Sequence, residues 1–255
     1  MTELEALVWT EILLFVVIGF VAQLVDGALG MAYKVTTSSV LLSFGLPPAT
    51  VSGSVHAAGT FTSVASGLAH WRVGNIDRRL MLRLLVPGMI GGAIGGLVLV
   101  GVSGTVLRPW ISAYLMLIGG YILWKALRVR ITTSGARSAA AVPLGFFGGL
   151  LDAIGGGGWG PIVTTTLVGH GVAPRTAIGS VNAAEFFVTV TIAGTLLVTV
   201  GISPWPIIAA LVVGGVVAAP VAALNTRYLP ERVLMVALAT VILLLSGRTL
   251  LLALS

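Results

Sequence analysis

The chain has 255 residues, of which 57% are hydrophobic and only 9% charged, with a formal net charge of +6 and no cysteine. Soluble domains carry about 25% charged residues, so this composition, with a mean hydropathy of +1.08, excludes an ordinary water-soluble fold and points to a polytopic membrane protein. Disulfides and thiolate metal sites are excluded too, and the cations fall in short loops between apolar runs instead of on a nucleic-acid-binding face.

In chain order, apolar segments are expected near residues 7–25, 29–46, 49–70, 80–101 and 107–127, then 140–153, 157–171, 175–200, 204–224 and 231–253. About 20 apolar residues cross the roughly 30 Å of bilayer hydrocarbon. The first two segments of each group of five are short, and each short pair meets at a glycine-containing break, DGALG at 26–30 and DAIGGGG at 152–158. Its opening stretch, MTELEALVWTE, is acidic and runs into the first segment, unlike a cleaved signal.

Sliding the chain by 126 positions (152 − 26) superimposes its halves without a gap. Identical pairs include Gly19/Gly145, Asp26/Asp152, Gly30/Gly156, Gly45/Gly171, Pro48/Pro174, Gly53/Gly179, Ser54/Ser180 and Ala58/Ala184. The expected organisation is a first transmembrane repeat over 1–127, a cytoplasmic linker over 128–139 and a second repeat over 140–255. Loop 71–83 carries Arg72, Arg78, Arg79 and Arg83, whereas its counterpart 198–206 is uncharged. Positive loops face the cytoplasm, so the halves are expected to be inverted, with 71–83 and 128–138 inside, 198–206 outside and both chain ends outside. Arg248 alone runs against this count. The expected fold class is an all-α integral membrane protein of two inverted repeats of about five helical segments each, with broken or re-entrant helices at the glycine-rich turns. Such repeats characterise secondary transporters, whose site lies at the midplane.

Glycine lets the backbone leave helical geometry, and irregular backbone at membrane depth is tolerated where it lines a cavity. Amides at the following half-helix, around Gly30, Gly156 and Gly157, then suit an anion. By contrast, the glycines of PGMIGGAIGG at 87–96 are expected to serve close helix packing.

The motifs DGALGMAY and DAIGGGGWGP, the segments SGSVHAAGTFTSVASGLAHWRVGNID and IGSVNAAEFFVT, and the two-half plan resemble the TauE/SafE family of sulfite exporters over nearly the whole chain. That resemblance implies transport of sulfite, sulfonates or related small anions, coupled to an ion gradient. Two positions depart from the internal symmetry: Lys34 stands opposite Gly160, and Gly59 opposite Glu185.

Among the ionisable residues, Asp26 and Asp152 stand just before the following helices, where an aspartate caps free amides. A structural and gating role comes first for them and coupling second. Lys34 is an intramembrane cation, a candidate to contact the substrate or to pair with Asp26 or Glu185. Ser54, His56, Ser180 and Asn182 form a candidate polar lining whose hydroxyl, ring and amide hydrogens suit sulfonate oxygens; interhelical hydrogen bonding is the competing reading. Glu185, one turn after Asn182, is a candidate proton carrier, because an isolated acid in an apolar stretch takes up a proton more readily than one in water. The chain offers no nucleophile–base constellation and no HExxH spacing, so a transporter and not an enzyme is expected, without catalytic residues, metal or cofactor. An anion channel and a carrier for small carboxylates stay open beside it. The expected partners are the small anion and the bilayer, not nucleic acid; a homodimer stays open.

Overall fold

A computed structural model describes residues 3–29, 31–127, 141–201, 204–225 and 231–254. Gly30, the linker 128–139 and part of the loop before residue 231 lie outside the described residues. The elements are helical throughout: α1 Glu3–Leu29, α2 Tyr33–Ser43, α3 Pro48–Arg72, α4 Arg78–Gly101, α5 Gly104–Leu127, α6 Ala141–Gly155, a π-helical stretch Trp159–Thr164 leading into α7 Thr165–Gly169, α8 Pro174–Thr199, α9 Trp205–Asn225 and α10 Glu231–Leu254. No strand occurs among the described residues, and the chain is an all-α membrane protein.

Among the described residues, four spans are long and apolar enough to cross a bilayer, Arg78–Gly101, Gly104–Leu127, Arg175–Thr199 and Met235–Leu254. Helix α3, at 25 residues, has the length but not the hydropathy. Its serines, threonines and His56 dilute the apolar content, and it turns Ser52, Ser54, His56, Thr62 and Ser63 into the protein interior.

The two short pairs are hairpins. Helix α6, with 15 residues among those described, covers about 22 Å at 1.5 Å per residue, whereas α1, with 27 residues, has the length to cross the hydrocarbon. The chain then turns back on itself. Phe44 at the end of α2 meets Phe15 of α1, ring centroids 5.6 Å apart, and Val163 and Trp159 after the second break lie against Gly148 of α6. Both pairs end identically. The Gly45 amide donates to Leu42 O and the Leu46 amide to Leu41 O, while the Gly171 amide donates to Val168 O and the Val172 amide to Leu167 O. Gly45 and Gly171 have φ of 89° and 87°, the left-handed cap that glycine supplies, and Pro48 and Pro174 then open the next helices.

Packing partners exchange between the halves: α1 lies on α9 and α6 on α4, while α3 packs against α8 and α5 against α10. Glycine makes the exchanged contacts close. A Cβ on Gly19 would sit 2.6 Å from Leu211 O, and one on Gly145 would sit 2.6 Å from Leu84 O. In the 87–96 run, Gly91 and Gly95 face Phe146 and Leu150 of α6, whereas Gly92 and Gly96 face Ile192 and Thr195 of α8.

Two boundaries differ from the sequence expectation. Asp26 and Asp152 do not precede a helix; they occupy the last turns of α1 and α6, which continue to Leu29 and Gly155. Apolar packing carries each helix past its acid, and the break comes a few residues later.

Candidate substrate and coupling site

The second hairpin tip is built on Asp152, which is 0% exposed. Its Oδ1 accepts from the Gly158 amide at 2.7 Å and the Trp159 amide at 3.0 Å. Reaching six and seven residues ahead in this way requires a sharp turn, and Gly156 makes it with φ of 66°. The first tip repeats the device: Asp26 Oδ1 accepts from the Ala32 amide at 2.6 Å and the Tyr33 amide at 3.1 Å. The amides expected to face an anion are thus taken by the protein's own carboxylates, because a charged acceptor lies within reach of them.

The tips meet near the middle of the chain's packing. Ser38 of α2 donates to Gly156 O, and a Cβ on Gly157 would lie 2.6 Å from the Val35 amide nitrogen. That contact brings Lys34, itself 6% exposed, to Asp152 Oδ2, to which its ammonium donates. The same ammonium lies 2.8 Å from Glu185 Oε1 on α8. Glu185 is therefore paired, not isolated as the apolar stretch suggested.

His56 completes the cluster from α3. Its Nε2 lies 3.1 Å from Asp152 Oδ2, and its Nδ1 lies 2.7 Å from Ser52 O. The ring thus sits between the Asp152 carboxylate and the Ser52 carbonyl. Lys34 is thus shared by two carboxylates, Asp152 and Glu185. Ser52 Oγ donates to Ala153 O at 2.6 Å and ties α3 to the tip.

A cavity of about 10 Å³ opens beside this cluster, lined by Asp26, Lys34, Glu185, Gly157, Gly160 and Pro161 among others. It has room for about one water molecule, so an anion enters only if the hairpins move. The four positions that break the internal symmetry converge here. Gly160 lines the cavity that Lys34 faces, and a Cβ on Gly59 would lie 3.7 Å from Lys34 Cδ.

The remaining candidates lie elsewhere. Ser54 Oγ donates to Thr50 O at 2.7 Å inside its own helix. Ser180 Oγ accepts from the Asp77 amide at 2.9 Å, and Asn182 Nδ2 donates to Ser66 Oγ at 2.9 Å between α8 and α3. Hence His56, Lys34, Asp152, Glu185, Gly156 and Gly157 come together, whereas Ser54, Ser180 and Asn182 do not join them. Sequence reading missed Ser52, Ser38 and Tyr114, whose hydroxyl lies 3.5 Å from Gly157 O. Only Ser52 carried a signal, its i, i+4 spacing to His56.

Helical hairpins meeting at a buried charged cluster, among helices apolar enough to cross a membrane, fit a multi-pass membrane transporter. The family described as "Sulfite exporter TauE/SafE" matches residues 15–249, and the chain belongs to that family. It is also 38% identical over 250 residues to the "Probable membrane transporter protein YtnM" of Bacillus subtilis (strain 168), covering 94% of this chain and 83% of that one. Both are transport proteins by description, and the chain is a membrane transporter and not an enzyme. No solved structure matches it significantly.

Proposed function

We propose that the protein is a secondary transporter of small anions, with sulfite, sulfonates or other organosulfur anions as the substrate class, coupled to protons across the cytoplasmic membrane. The observation that carries this reading is Lys34 held between Asp152 and Glu185 at the meeting of two hairpin tips. The family description supports the organosulfur class, and the loop charges support inverted halves with 71–83 inside.

In the closed cluster the single Lys34 ammonium is already shared by the carboxylates of Asp152 and Glu185. An anion entering alone would add one uncompensated negative charge at low dielectric, which is costly. A proton on Glu185 removes that obstacle. It releases one face of the Lys34 ammonium, the anion takes the carboxylate's place, and the net charge of the cluster does not change. Asp152 keeps hold of Lys34, His56 and the tip amides throughout, so substrate exchange does not dismantle the hairpin. Closure to a one-water cavity favours a carrier over an open channel.

The test is counterflow in proteoliposomes with a panel of sulfite, thiosulfate, sulfonates and small carboxylates. Wild type should show saturable uptake accelerated by a pH gradient. Glu185→Gln, which mimics the protonated acid, should retain exchange and lose that acceleration. Acceleration in the variant equal to wild type would refute the coupling role, and a preference for carboxylates would refute the substrate class.

A further inference from the structure

A groove of about 760 Å³ lies outside the charged site, between α3, α4 and α8 at the α3–α4 turn. Its floor includes Gly67 and Ala183, its walls Leu68, Leu82, Phe186 and Phe187, and its mouth Trp71 and Arg78. The groove runs along α3 from Ser63 to the helix's end at Arg72, about 14 Å at 1.5 Å per residue. That length is about half the roughly 30 Å hydrocarbon thickness, the depth of one leaflet. Trp71 sits where an interfacial aromatic belongs, and it is 64% exposed.

The charge at the mouth selects among lipids. Arg78 is exposed at the mouth and forms no ion pair with a carboxylate of the described residues. Arg72, Arg79 and Arg83 share its loop region. The nearby acid, Asp77, directs Oδ1 to the Arg79 and Leu80 amides of α4, at 2.8 and 3.1 Å. The corresponding turn of the other half, 198–206, has no cation at all. A basic pocket between helices at the membrane surface suits an acidic headgroup.

We propose that this groove is a binding site for one anionic phospholipid, with an acyl chain along α3 and the headgroup phosphate on Arg78. The site belongs to one half of the molecule only. Lipid here would brace the turn joining α3 to α4.

Trp71 provides the readout. The full-length protein is reconstituted into phosphatidylcholine vesicles containing either brominated phosphatidylglycerol or brominated phosphatidylcholine, and tryptophan quenching is compared, with Trp71→Phe subtracted to isolate the groove. The Trp71 signal should report an affinity about fivefold higher for the anionic lipid, the effect of about one arginine near the surface. Arg78→Gln should abolish that preference, while Arg79→Gln, outside the groove, should keep it. Equal quenching by both lipids in wild type would overturn the proposal. So would equal losses in the two arginine variants, which mean diffuse attraction, or no quenching at Trp71, which means that protein covers the groove.

Discussion

The two hairpin tips carry the same acid in the same device, yet they do different amounts. Asp26 uses one oxygen to hold the amides six and seven residues ahead. Asp152 holds the same pair of amides and with its second oxygen also takes Lys34 and His56. Duplication thus supplied a scaffold twice, and loss of symmetry supplied the charged centre once. In the sequence repeat Lys34 and Glu185 each correspond to a glycine of the other half, Gly160 and Gly59, so the ion pair occurs once.

Removing each acid in turn tests that contrast most strongly. Asp152→Ala loses its own two tip hydrogen bonds and also breaks the buried pair with Lys34, which alone costs about 3–5 kcal/mol. Asp26→Ala loses hydrogen bonds to a charged group, worth about 1.5–3 kcal/mol each. Thermal unfolding in detergent should rank wild type above Asp26→Ala and Asp26→Ala above Asp152→Ala. Identical melting of the two variants would erase the distinction between the tips.

A double-mutant cycle sharpens the assignment of Lys34. Lys34→Met leaves Asp152 and Glu185 without their shared cation, and adding Glu185→Gln removes one of the stranded charges. The pair should show a coupling energy of about 0.5–3 kcal/mol, with the double variant more stable than additivity predicts. Strict additivity in the same unfolding assay would mean that the two side chains act independently.

Backbone contact between the hairpins predicts a further difference. Gly157→Ala drives a methyl group into the Val35 and Lys34 backbone, an overpacking cost of about 1–3 kcal/mol. Gly169→Ala at the end of α7 meets nothing within 4 Å and should leave the melting temperature unchanged. Comparable losses at both positions would show that the tips do not touch.

The smallest effect is expected at Ser54. Its hydroxyl is spent on its own helix, so Ser54→Ala should change stability by less than about 0.5 kcal/mol and leave the concentration dependence of counterflow untouched. A several-fold weaker apparent affinity would instead place Ser54 against the substrate.

Much of the architecture is local in origin and was readable in the linear chain. Apolar length defines the segments, Gly45 and Gly171 with the prolines after them define the ends of α2 and α7, and Asp before a glycine run marks each tip. The internal repeat pointed to Lys34 and Glu185 as the odd residues out. What remained hidden was decided by distance in space. Whether Ser52 or Ser54 reached the site depended on the rotation of α3 against α6, which turns one serine toward Ala153 O and the other along its own helix. Whether the tip amides stayed free for an anion depended on a side chain six residues back crossing the turn. Lys34 found its carboxylates 118 and 151 positions away (152 − 34 and 185 − 34) only because two hairpins cross at their tips. Charge pairing at such separations is set by packing of whole elements, and no local pattern encodes it.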